Sequence, residues 1–116
     1  MALHSVRAFR TAVSKLKAVT IDEQWGGHVA KVGGKVFAMI GADSGDIVFK
    51  VTELSFDGLT SLDGVAQAPY FAKRAWVSVG TAAPLTDAEL KAYIKASHEM
   101  VAGKLTRKLR AELGLD

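Results

Sequence analysis

The hydrophobic period of this chain changes near residue 18, and that change limits the fold more than any other feature. Leu3, Val6, Phe9, Val13 and Leu16 recur every three or four positions, as in a helix that buries one stripe. From Val19 the period falls to two, with Val19 and Ile21 alternating against Thr20 and Asp22. Two β-prone runs, residues 28–32 and 35–40, then flank Gly33-Gly34. Glycine pairs supply the positive φ that two-residue hairpin turns require. Residues 41–46 form the next turn, and Ile47, Phe49 and Val51 share one face of the run that follows. The spacing therefore predicts one helix feeding an antiparallel meander.

Downstream, Leu54, Leu59 and Leu62 suit a short helix, which Gly58 weakens, and residues 75–79 read as a last strand. Thr86-Asp87-Ala88-Glu89 is a helix start in which Thr86 caps and Glu89 reaches back. Leu90, Ile94, Ser97, Val101 and Leu105 continue one stripe, and the docked helix is expected to end or bend near Gly103. The expected architecture is an α+β two-layer sandwich. Four to five antiparallel strands are flanked by N- and C-terminal helices on one face. Residues 1–103 form the domain, and residues 104–116 a basic helical extension.

At 116 residues the chain has room for one core and not two. It has no cysteine, which removes disulfides, thiolate catalysis and zinc–thiolate sites together. The net charge of +3 is unevenly spread. Residues 1–17 carry four bases and no acid, residues 18–63 three bases and seven acids, and residues 64–116 eight bases and five acids. The longest apolar stretch is seven residues, far short of the roughly 20 a membrane span needs. A cytoplasmic protein with no membrane partner is expected.

Few residues suggest enzymatic chemistry. His4, His28 and His98 have no ligand-type spacing, and the carboxylates sit in turns and helix starts where acids are common. His98, one position off the core stripe, is expected to pack or cap. Gly33-Gly34-Lys35 lacks the remainder of a P-loop. No cofactor, metal or catalytic residue is expected. The densest polar–aromatic cluster is Pro69-Tyr70-Phe71-Ala72-Lys73-Arg74-Ala75-Trp76. Its cations could meet phosphates while a ring stacks on a base, although the core is the commoner place for Trp76, and for Trp25.

These residues carry a resemblance. Gly34-Lys35-Val36-Phe37-Ala38, then Pro69-Tyr70-Phe71-Ala72-Lys73-Arg74-Ala75-Trp76-Val77, then Ser97-His98 resemble the MmcQ/YjbR family over about residues 3–105. Where the family usually has Ser-Tyr, this chain has Ser97-His98. The resemblance implies an α+β domain likened to bacterial frataxin, and DNA binding by a "double wing" of hairpins. Frataxin-like iron binding does not transfer, because the first helix carries bases instead of a carboxylate ridge.

The leading expectation is a non-enzymatic DNA-binding protein that contacts mainly the phosphate backbone. Its residues are Lys31 and Lys50 on neighbouring strands, Lys35 at a hairpin start, Lys73, Arg74 and Trp76, with Arg107, Lys108 and Arg110 adding non-specific affinity. The alternative is a protein- or small-ligand-binding module that uses an exposed sheet face bearing Trp25, Tyr70 and Trp76. An enzyme of unknown type is a third.

Overall fold

A computed structural model describes residues 2–115. Helix α1 (Val6–Ser14) is capped by Ser5, whose hydroxyl accepts the Ala8 amide, and it buries Phe9 and Val13. A four-strand meander follows: β1 (Val19–Gln24), β2 (Gly27–Val32), β3 (Lys35–Gly41) and β4 (Ile47–Lys50). Helix α2 (Glu53–Thr60), β5 (Val65–Gln67), β6 (Trp76–Val79), α3 (Asp87–Gly103) and α4 (Arg107–Glu112) complete the chain. The sheet has six antiparallel strands in the order β1-β2-β3-β4-β6-β5. The architecture is the α+β one read from the sequence, with one strand more than the expected four or five. The extra strand is β5, three residues long, which exists only by pairing with β6.

The first glycine-pair hairpin forms as expected, with Gly33 and Gly34 at φ +59° and +79°. The capping box of α3 also forms: Thr86 Oγ1 accepts the Glu89 amide at 3.1 Å and Glu89 accepts the Thr86 amide at 2.9 Å. Both bonds favour the ionised acid, so the Glu89 carboxyl lies below its usual range.

Helices α1 and α3 cover one face of the sheet, and the main core lies between. Phe9, Phe37, Phe49, Ile40 and Leu90 are fully buried there. Two polar side chains enter this core. The Ser97 hydroxyl donates toward the Lys50 carbonyl at 2.5 Å. His98 packs edge-on against Phe37 and places Nε2 2.8 Å from the Lys17 carbonyl, so that nitrogen carries a proton. This is the packing role expected for His98.

Strand β3 contains a bulge. Ala30 pairs with Ala38 and Lys31 with Val36, leaving Phe37 without an opposite number. Phe37 and Ala38 therefore both enter the main core, while Val36 packs on the other face.

Among the described residues no helix contributes to the core on the other face. That face holds a smaller core of Val29, Met39, Val48, Ala68 and Trp76, roofed by residues 68–75. The roof is tied down at both ends: the Ala68 amide donates to Trp76, the Val51 amide to Ala75, and the Arg74 amide to the Gln67 side chain.

The basic extension continues the same globule. Leu105 is buried, and Leu109, Leu113 and Leu115 pack against the main core. Among the described residues no helix is long and apolar enough to cross a membrane.

Candidate nucleic-acid interface

The nine residues expected to contact DNA do not form one surface. Lys31 lies on β2 and Lys50 on β4, with β3 between them, so they are not on neighbouring strands. Lys31 is also ion-paired with Asp22 on β1 at 3.0 Å.

Arg74 departs further from expectation. Its guanidinium grips both Asp57 oxygens at 2.8 and 3.0 Å and Glu53 at 2.9 Å, above the Phe56 ring. Bonds to Glu53 and Asp57 push its pKa above the usual arginine value. The fork geometry and two carboxylates make this a structural clasp between α2 and the roof. The charge of Arg74 is used inside the protein. Its neighbour Lys73 is exposed, with no ion pair among the described residues.

The tryptophans part company: Trp76 lies in the core, the commoner place read for both, and Trp25 does not. Trp76 is buried (9% exposed), its ring 4.5 Å from that of Phe71, and so is not a free stacking platform. Trp25, expected in the core, is 66% exposed at the β1–β2 turn, where it and Gly26 have φ +55° and +72°.

The extension is also divided. Arg107 and Lys108 are exposed, whereas Arg110 is half-buried and lines a pocket of about 450 Å³ with Lys15, Lys17, Lys95 and Glu99.

Two of the expected cations do come together, with a third that sequence reasoning omitted. Lys35 opens β3, Lys50 closes β4 directly opposite Trp76, and Lys104 caps the C-terminus of α3. All three line one pocket of about 410 Å³ with Val36, Trp76, Val101 and Leu105. Among the described residues no carboxylate lines it. The pKa of Lys50 lies below the usual lysine value, first because of partial burial and then because of the adjacent Lys104 ammonium. Lys104 was legible only as a cation after Gly103, at the helix end where the macrodipole favours positive charge. Its pairing with Lys50 depends on tertiary packing.

The YjbR profile matches residues 14–100, three quarters of the chain, with the β3 bulge, the roof and most of α3 inside the match. The chain belongs to the YjbR family. A YjbR-type fold also accounts for the structural neighbours. A Deinococcus radiodurans protein with a DUF419 domain superposes with a TM-score of 0.86 at 21% identity, covering 97% of this chain and 89% of its own. A Pseudomonas syringae protein gives 0.68 at 21% identity, covering 82% and 97%. No curated protein matches the sequence. Within the YjbR match lie Lys35, Lys50, Lys73 and the Arg74 clasp, whereas Lys104, Arg107 and Lys108 fall beyond its end.

Proposed function

We propose that this YjbR-family chain is a non-enzymatic DNA-binding protein that holds the phosphate backbone at the Lys35–Lys50–Lys104 pocket. The observation that carries this reading is the convergence of three ammonium groups around one concave site, with no carboxylate in its lining among the described residues. Lys50 is held there against both burial and a like charge. A phosphate oxygen among the three would offset that repulsion and favour the charged form of Lys50. The exposed Arg107 and Lys108 lie shortly beyond Lys104 in sequence and extend the basic region along α4. In this reading affinity comes from phosphate contacts and has low sequence specificity.

The test is a titration of short duplex DNA by fluorescence anisotropy across a range of salt. Neutralising one phosphate contact by Lys50→Gln is expected to flatten the slope of log K against log salt by about 0.9. No binding at low salt, or a slope indifferent to Lys50→Gln, overturns the assignment.

A pH dependence follows from the same residue. Free Lys50 releases its proton below the usual lysine value of 10.5, so DNA binding weakens as pH rises through that lowered pKa. Across the window from the lowered pKa up to 10.5 the unfolded chain binds more protons than the folded one. Stability of the free protein therefore rises with pH in that window, opposite in sign to the change in affinity. Paired titrations at neutral and alkaline pH read both signs, and Lys50→Gln should reduce both.

A further inference from the structure

The sheet face opposite α1 and α3 carries a second concavity, at the other end of the β3–β4 pair from the lysines. It has a volume of about 550 Å³, within the range of small-molecule sites. Its walls are Trp25 from the β1–β2 turn and Tyr70 and Phe71 from the roof, over a floor of Met39 and Val48. Trp25 stands perpendicular to Phe71 with ring centres 6.3 Å apart, and Phe71 is backed by the buried Trp76. Trp25 and Tyr70 are two of three large apolar side chains left exposed among the described residues, and both adopt left-handed backbone (φ +55° and +69°). Bulky rings rarely occupy that region, and here the turns carry them to the rim of the concavity.

Asp46, just before β4, is the one charged residue in the lining. Its backbone amide bonds to Ser44 and its carbonyl to the Gly41 amide, while its carboxylate has no hydrogen bond or ion pair among the described residues. A purely apolar guest would strip water from that carboxylate without replacing it, and an anionic guest would be repelled. Aromatic faces with a single carboxylate favour a cation that is itself apolar on the outside.

We propose that this concavity is a binding site for a small organic cation bearing an alkyl-substituted ammonium. The aromatic rings receive the alkylated charge and Asp46 supplies the counter-ion. The site is separate from the lysine pocket and does not depend on DNA binding.

The probes are choline and its neutral isostere 3,3-dimethylbutan-1-ol, titrated into the full chain by calorimetry, with the two indole N–H resonances followed by NMR. Choline is expected to bind saturably in the millimolar range or tighter and to shift the Trp25 resonance more than that of Trp76. Loss of one cation–π or ionic contact, by Trp25→Ala or Asp46→Asn, is expected to weaken choline about tenfold. The isostere should bind at least as weakly. Asp46→Asn keeps both backbone hydrogen bonds, and its unchanged DNA affinity separates this site from the lysine pocket. Equal binding of the isostere, indifference to Asp46→Asn in a variant with the wild-type melting temperature, or no saturation by choline overturns the proposal.

Discussion

Phe37→Ala is expected to lower folding stability by about 3–5 kcal/mol, the largest effect of any single truncation considered for this chain. Phe37 is fully buried, and its ring meets the edge-on imidazole of His98 at 5.2 Å between ring centres. Removing it leaves a cavity bounded by a sheet on one side and α3 on the other, neither of which can collapse inward freely. It also removes the residue that the β3 bulge turns into the main core. A domain of this size has a total stability of roughly 6–17 kcal/mol, so the loss is a large fraction of the whole. The thermal midpoint should fall by about 12–20 °C, and the denaturant midpoint should shift with the m-value unchanged. Phe37→Leu, which retains most of the volume, should lose no more than about 1.5 kcal/mol. A loss below about 1 kcal/mol for the alanine variant would mean that the bulge relaxes and the site repacks, contrary to a core braced by Phe37.

The same residue shows where the sequence was legible and where it was not. The stripes of α1 and α3 were readable because a helix repeats locally: Phe9, Val13, Leu90, Ile94, Ser97 and Val101 are buried and Val6 half-buried, while Leu3 is buried just before α1 begins. Strict alternation along residues 35–40 would put Phe37 beside Met39. The bulge puts it beside Ala38 and Ile40 instead, a choice set by pairing with β2. Strand β5 escaped notice because three residues before a proline carry no period. Its pairing partner is β6, beyond the roof.

The candidate site was legible to a similar degree. Lys35 stood out as a cation at a hairpin start and Lys50 as a cation on a strand, and the structure brings them to one pocket. Lys104 reaches that pocket because Leu105 packs on the β2–β3 turn, so closely that a Cβ on Gly33 would meet its side chain at 2.6 Å. Arg74 was misleading for the converse reason. Its partners Glu53 and Asp57 are 21 and 17 residues away, and only the packing of the roof on α2 brings them together. Trp25 has a local explanation that hydrophobicity obscured. Trp25 lies in the two-residue turn between β1 and β2, beyond the paired positions of both strands, and is exposed there despite its size.

The last expected result uses these differences to test the DNA reading as a whole. The triple variant Lys35→Gln, Lys50→Gln, Lys104→Gln should lose on the order of a thousandfold in affinity for duplex DNA at about 50 mM salt, and on the order of a hundredfold at about 150 mM. Three released phosphate contacts would flatten the salt slope by about 2.7. Folding should not suffer. Lys50 is held against burial and against Lys104, so removing both charges relieves repulsion, and the melting temperature should stay level or rise. Arg74→Gln provides the contrast. It breaks the clasp to Glu53 and Asp57 and loosens the roof, yet it should leave the salt slope unchanged, because that guanidinium is already neutralised. A cation is worth most to a polyanion where the protein has not already matched it, and that condition separates Lys50 from Arg74. If the arginine variant flattens the slope while the triple lysine variant does not, the phosphate-binding surface is the roof and the lysine pocket has another occupant.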